Sequence, residues 1–158
     1  MIVESDNDAM FALIAKHREE VLDVYRALKL PDPNTDPDDF MSPKSYSAVF
    51  RTLFNSTYLR RELSEQALKL LTETTFKDGL VAGIEDSTLV AHKFGVYAGY
   101  DEKGETQNEL HDCGIVYFPE NPYFICVMTK GRDFNVLTTV IKDLSRIAYE
   151  GMLENNSR

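Results

Sequence analysis

The chain has 158 residues, of which 43% are apolar and 27% charged, so it is long enough to bury a core and too apolar to be disordered. Its net charge of −9 at pH 7 argues against a nucleic-acid surface, which needs clustered lysine and arginine to neutralise phosphates. No apolar run approaches the roughly 20 residues that cross a bilayer, and the chain does not open with the basic and then apolar segments of an export signal.

The first half of the sequence has the apolar spacing of helices. A first helix is predicted over about residues 7–29, after which prolines and acidic residues mark a loop. A second helix is predicted to start with Ser42 as its cap and Pro43 in its first turn, and a third with Ser64 as its cap. The residues predicted to face the core are Met10, Leu13, Ile14, Val21, Tyr25 and Leu28, then Tyr46, Val49, Phe50, Leu53 and Phe54, then Leu68 and Leu71.

The second half has the β-branched and aromatic composition of strands. Three strands are predicted, at "TLVAHKFGVYAGY", "ELHDCGIVYF" and "YFICVMTKG", and the short link "PENP" predicts an antiparallel hairpin between the last two. The third strand is apolar on both alternating faces, which predicts that both faces are covered. A closing helix is predicted to cover one face through Leu137, Val140, Ile141, Leu144, Ile147 and Ala148.

Together these elements predict an α+β fold in one domain over residues 1–158. Residues 1–85 are predicted to be mainly helical. Residues 86–158 are predicted to form a three-stranded antiparallel meander and a C-terminal helix packed on the sheet.

The tripeptide Ser5-Asp6-Asn7 has two interpretations. Serine, aspartate and asparagine are preferred helix N-cap residues, so one interpretation is the cap of the first helix. The other is one edge of an active site, and the decision between them depends on residues elsewhere in the chain.

Lys93 and Gly95 lie on the first predicted strand, about 85 residues further on. A lysine that faces a cleft offers a positive charge to a carboxylate, and a glycine two positions later lets a substrate approach the strand closely. The alternative interpretation of Lys93 is a solvated lysine at the edge of the sheet.

With these residues in this order, the sequence resembles the class A β-lactamases and their penicillin-binding relatives, which are serine hydrolases. Their signature is S-x-x-K, then S-D-N, then K-T/S-G. Residues 5–7 match the second motif, and Lys93-Phe94-Gly95 approximates the third. The segments "SYSAVFRTLFNSTYL", "FKDGLVAGI" and "HDCGIVYFPENPYFICVMTKG" are also similar to members of this family, so the resemblance covers nearly the whole chain. It implies a truncated β-lactamase/transpeptidase-like fold and an activity on β-lactams or peptidoglycan-type peptides.

The resemblance also implies catalytic roles. Ser5 would pass a proton between the lysine of S-x-x-K and the leaving amine, and Lys93 would supply positive potential for the substrate carboxylate. The main-chain N–H of Val96, after Gly95, would complete the oxyanion hole. Asn7 would donate to the substrate's side-chain amide, while Asp6 would be structural.

Two departures from the family pattern bear on activity. No serine in the chain is followed three positions later by lysine, and only four residues precede Ser5. We therefore expect a C-terminal portion of such a hydrolase, without the S-x-x-K nucleophile and inactive alone, which leaves open whether it is an enzyme. The alternative is a non-catalytic binding or interaction module that retains the fold.

The second departure is Phe94, which lacks the hydroxyl that binds the substrate carboxylate in K-T/S-G. The acidic residues Asp36, Asp38 and Asp39 also do not match the E-x-x-L-N pattern that activates the deacylating water, and are interpreted as solvated. Slow deacylation or peptidase-like behaviour is therefore expected of a complete protein.

The remaining candidates predict neither a metal nor a cofactor, because His17, His92 and His111 lack metal-site spacing. His92 is predicted to face away from Lys93, and His111 is either near the cleft or a surface group. A disulfide between Cys113 and Cys126 is left open.

The expected partners follow from the resemblance and the predicted sheet. They are a small-molecule or peptide substrate in the complete protein, no nucleic acid, and no membrane span. In the family two further strands lie beyond the third, so residues 123–130 are expected to form an open edge that promotes self-association into an oligomer, or pairing with another segment. The family implies an extracytoplasmic location, but the chain has no export signal, so its compartment is left open.

Overall fold

The computed structural model describes residues 1–31 and 41–156. Within these ranges the chain forms helices, then an antiparallel sheet, then a long helix, as the α+β prediction requires. The acidic residues of the predicted loop, Asp36, Asp38 and Asp39, lie outside the described residues. The elements are α1 (Asn7–Lys16), α2 (Arg18–Leu28), α3 (Pro43–Phe54), α4 (Arg61–Thr72), β1 (Val90–Tyr100), β2 (Thr106–Val116), β3 (Tyr123–Gly131) and α5 (Phe134–Asn156), with a short 3-10 turn at Val81–Gly83. None of the helices in the described ranges is long and apolar enough to span a membrane.

The prediction of one helix over residues 7–29 was wrong, because the backbone leaves the helical conformation at His17. The break costs few hydrogen bonds: the His17 N–H still donates to Leu13 O, and the His17 carbonyl still accepts from the Val21 N–H. Neither α1 nor α2 contains a buried residue, so the predicted single apolar face does not become part of the core.

Of the two predicted serine caps, the one at α3 is observed and the one at α4 is not. Ser42 caps α3 as predicted, since its side chain accepts the Ser45 N–H, and Pro43 opens the helix. Ser64 does not cap α4, because its N–H already donates to Arg60 O inside the helix and the residue is fully buried.

The sheet has the order β1-β2-β3, with antiparallel pairs throughout. Directly opposite residues share a face, so Lys93, Cys113 and Cys126 lie on one side of the sheet. We call this side the α3/α4 face, because its buried residues pack with Phe50 of α3 and with Leu68 and Leu71 of α4. The opposite side, the α5 face, is covered by the closing helix.

The predicted inner stripe of α5 is only partly correct. Leu137 and Ile141 are buried, but Val140, Leu144 and Ile147 are 39%, 45% and 57% exposed. The buried stripe continues instead through Ser145 and Tyr149, four residues apart. Both side chains carry a hydroxyl, so apolar periodicity did not predict their burial. Each hydroxyl has a hydrogen-bond partner in the interior: Ser145 Oγ donates to Leu80 O, and Tyr149 Oη lies 2.9 Å from Thr88 Oγ1.

Candidate functional site

The centre of the candidate site is a contact between the start of the chain and the first strand. Lys93 Nζ donates to Ser5 Oγ at 2.5 Å and to Phe94 O at 2.7 Å. Asp6, not Ser5, caps α1, because its carboxylate accepts the Ala9 N–H at 3.0 Å. The residues of the tripeptide therefore have different roles: Asp6 caps the start of α1, and the Ser5 hydroxyl contacts Lys93.

The backbone of Ser5 is in the left-handed region, with φ of 53°. This conformation is energetically unfavourable for serine but not for glycine. Non-glycine residues in this region persist only where surrounding contacts hold the backbone, and they cluster at functional sites. The contacts that hold this segment are near by. The Thr75 N–H donates to Val3 O at 3.2 Å, and Ile2 packs against the core beneath α3 and α4.

Lys93 is half-buried on the α3/α4 face of β1. Burial lowers the pKa of the Lys93 ammonium below its ordinary value, and attraction to Asp112 acts in the opposite direction. The ammonium also lies 4.7 Å from the centroid of the Phe94 ring, within range of a cation–π interaction.

The residues that follow Lys93 border an open surface. A side chain placed at Gly95 would meet no atom within 4 Å, so the strand is freely approachable there. Val96 is 57% exposed. Phe94 points to the α5 face, where its ring lies 4.8 Å from that of Phe76, so it serves as a packing residue there. Asn7 is exposed at the first position of α1 and is not drawn into the contact between Ser5 and Lys93.

The three histidines lie apart. His111 is directly opposite Gly95 on β2; its Nδ1 accepts the Thr129 N–H, and its Nε2 lies 3.5 Å from Glu109. His17 is near Glu20 on the helices. In the part of the chain that the structure describes, no cluster of three or more His, Cys, Asp or Glu residues could hold a metal ion.

His92 faces away from Lys93, as strand alternation predicts, and is fully buried with Asp112 on the α5 face. Sequence reasoning did not assign Asp112 a role. The sequence contained one indication of such a role: Asp112 stands beside the apolar stretch "CGIV" in a predicted strand, and a carboxylate buried in a strand requires hydrogen-bond partners.

Cys113 and Cys126 form a disulfide between β2 and β3. The sequence had left this bond open.

Comparison with known proteins supports this architecture. A family model described as "Beta-lactamase enzyme family" matches residues 1–152. A search of curated proteins finds no match.

Solved structures share the fold at low sequence identity. A structure of PBP-A is 21% identical with a TM-score of 0.75, covering 98% of this chain and 59% of that one. A class A beta-lactamase from Bacteroides cellulosilyticus is 19% identical with a TM-score of 0.79, covering 96% and 60%. A mutant of PBP-A, solved as an acyl-enzyme complex with penicillin-G, is 21% identical with a TM-score of 0.58, covering 72% and 40%. The chain thus spans about three-fifths of the length of the first and second of these structures.

Proposed function

Since the chain belongs to the beta-lactamase enzyme family, we propose that it carries the carboxylate-binding and proton-relay side of a penicillin-type serine hydrolase site. The observation that carries this proposal is the 2.5 Å contact between Lys93 Nζ and Ser5 Oγ. It joins the serine of an S-D-N motif to the lysine of a K-x-G motif across 88 positions.

In this proposal Lys93 attracts the substrate carboxylate and Ser5 relays a proton to the leaving amine. A hydroxyl that accepts from an ammonium is oriented with its own proton free to be donated, which is what a relay needs. Asn7 binds the substrate's side-chain amide, and the Val96 N–H, after Gly95, donates to the developing oxyanion. Support for the substrate class comes from the PBP-A mutant, which was captured as an acyl-enzyme with penicillin-G.

We further propose that these 158 residues bind such substrates without turning them over. No serine in the sequence has a lysine three positions later, and a serine without a positioned base is a poor nucleophile. The Phe94 side chain packs on Phe76 and offers no hydroxyl to the substrate, which favours slow or peptidase-like chemistry in a complete protein.

The test has two parts on the same sample. The chain is incubated with a fluorescent penicillin and examined by intact-mass spectrometry, and amide shifts are followed by NMR during a benzylpenicillin titration. We expect no covalent adduct, and shifts concentrated at Gly95 and Val96. Lys93→Met should abolish the shifts, whereas Lys103→Met, at an exposed lysine of the β1–β2 turn, should retain them.

Two results would contradict the proposal in different ways. An adduct on Ser5 would identify this serine as a nucleophile with Lys93 as its base. It would overturn the proposal that the chain binds such substrates without reacting with them. The absence of shifts in the wild-type chain would overturn substrate recognition and favour the alternative, a non-catalytic interaction module.

A further inference from the structure

The closing helix α5 carries an exposed apolar stripe that no other described part of the chain covers. Its members are Val136, Val140, Leu144 and Ile147, all of which are exposed. They recur at intervals of four, four and three residues, which is the spacing of a helix face that packs along another helix. None of the four is charged, and such a stripe is typical of an interaction surface.

The stripe lies on the flank of α5 that adjoins the outer edge of β3. Val136 and Val140 line a groove together with residues 129–131 at the end of β3. The opposite flank of the helix is occupied by the chain itself. A side-chain carbon at Gly83 would lie 2.3 Å from the carbonyl oxygen of Lys142, which is about 200° around the helix from Val140.

The strand beside the stripe also lacks a partner. β3 is the last strand of the sheet in the described ranges, so its outer N–H and C=O groups are not paired with a strand there. Unpaired strand edges are templates for pairing with another chain. The free edge of β3 and the four stripe residues together form one surface with a strand layer and a helix layer, which we call the β3/α5 surface.

A second copy of the chain fits both layers of this surface at once. α5 packs over β2 and β3, since Ile141 forms one buried cluster with Leu110 of β2 and Val127 of β3. Neighbouring strands are about 4.8 Å apart, so the axis of α5 lies about one strand spacing from a two-fold axis placed midway between two paired β3 strands. The two α5 helices would then be about 10 Å apart, close to the roughly 8–10 Å of packed helices.

The charges along β3 also favour a two-fold arrangement, in which the two strands are antiparallel. The strand has one charged residue, Lys130, near its end, which lies 3.3 Å from Glu109 of β2. Antiparallel pairing separates the two Lys130 side chains, whereas parallel pairing would place like charges level with each other. It also brings each Lys130 toward the start of the other strand, just before which Glu120 is exposed.

We propose that two copies of the chain form a two-fold symmetric dimer through the β3/α5 surface. Their β3 strands pair, which joins three strands from each copy into one antiparallel sheet, and their α5 stripes pack against each other. The helix layer supplies apolar burial that two edge strands alone would lack. The dimer is independent of the proposed function, because Lys93 lies on β1, at the opposite edge of each sheet.

The test is sedimentation velocity of the full chain from micromolar to submillimolar concentration. We expect a dimer that Ile147→Lys weakens at least about tenfold, since each dimer then buries two charges in its helix layer. Leu89→Lys makes a matched change at an exposed leucine outside the surface and should leave the dissociation constant unchanged. Both side chains are exposed in the single chain, so both variants should fold, which circular dichroism checks. A chain that stays monomeric, or equal effects of the two variants, would overturn the proposal.

A second experiment tests the contact between the two helices. The double variants Val140→Lys/Leu144→Lys and Val140→Glu/Leu144→Glu should each dimerise poorly, because like charges meet across the two-fold axis. Their equimolar mixture should associate more tightly than either alone, since opposite charges then face each other. A mixture of Leu89→Lys and Leu89→Glu should show no such gain. A mixture of the double variants without this gain would contradict packing of α5 on α5.

A lipid surface is the other occupant that an apolar stripe could take. Flotation of the chain with phosphatidylcholine vesicles tests it. We expect no cofloating of the wild-type chain. A monomer that floats with the vesicles, and does so less after Ile147→Lys, would assign the stripe to lipid and overturn the dimer.

Discussion

Lys93 Nζ lies 2.5 Å from Ser5 Oγ, and this contact fastens the segment before α1 to the first strand of the sheet. The same segment is held by the hydrogen bond from the Thr75 N–H to Val3 O. The contact is therefore both the centre of the proposed site and a tertiary restraint, and its removal should affect stability as well as binding.

Ser5→Ala is expected to lower the free energy of unfolding by about 1 kcal/mol, since a hydrogen bond to a charged group is lost at a half-exposed site. Ser5→Gly should cost less, because glycine adopts the left-handed backbone without the roughly 1–2 kcal/mol that it costs a residue with a side chain. Urea denaturation measures both. Ser87→Ala, at an exposed loop serine, is the control; equal midpoints for it and Ser5→Ala would contradict the restraint.

Tyr123 should control part of the alkaline stability. Burial raises the pKa of its phenol from 10.0 to about 12, with a smaller contribution from Tyr149. A raised pKa in the folded state means that this contribution is complete below pH 10 and is lost as the pH rises through about 12. Tyr123→Phe should flatten the stability curve over that window, and the exposed Tyr100→Phe should not.

At neutral pH the same variant should be neutral or stabilising by up to about 1 kcal/mol. The Tyr123 hydroxyl is buried without a hydrogen-bond partner among the described residues, and removing such a group relieves its desolvation cost. Thermal unfolding at pH 7 checks this, and a large loss of stability would indicate a partner for the hydroxyl.

The disulfide between Cys113 and Cys126 should stabilise the sheet. It closes a short loop between two cysteines that are 13 positions apart in sequence, for which the chain-entropy model predicts about 3 kcal/mol. A reducing agent should lower the thermal midpoint of the wild-type chain but not that of the Cys113→Ala/Cys126→Ala double variant. Two free thiols under denaturing, non-reducing conditions would contradict the bond.

The corrected register of α5 predicts a contrast between two neighbouring apolar residues. Ile141 is completely buried, so Ile141→Ala should cost about 2–5 kcal/mol. Leu144 is 45% exposed, so Leu144→Ala should cost less than about 1 kcal/mol. Chemical denaturation of both variants distinguishes them, and similar costs would favour the stripe predicted from sequence.

The outer edge of β3 should promote self-association, because no strand in the described ranges pairs with it. Sedimentation velocity should detect a dimer that Met128→Lys weakens, since a lysine on the edge strand opposes pairing while its stem keeps the apolar contacts. Val136→Lys, on the exposed side of α5, tests the other apolar surface. A monomer at high concentration, or dissociation by Val136→Lys alone, would contradict pairing through the edge.

Much of the fold could be predicted because its signals are local. Strand composition and turn residues identified β1, β2 and β3 close to their observed bounds, and Ser42-Pro43 identified the start of α3. The alternation of β1 correctly put His92 and Lys93 on opposite faces. Each of these inferences needs only the few residues around it.

The sequence by itself determined the fold class, the family resemblance and the candidate residues Ser5 and Lys93. Only the tertiary structure decided which member of residues 5–7 caps the helix, which residues of α5 are buried, and that Asp112 pairs with His92 in the interior. The reason is physical: a polar side chain such as Ser145 or Asp112 belongs in a core only if distant residues supply its hydrogen bonds. Those partners, such as Leu80 and His92, are brought within reach only when the whole chain folds.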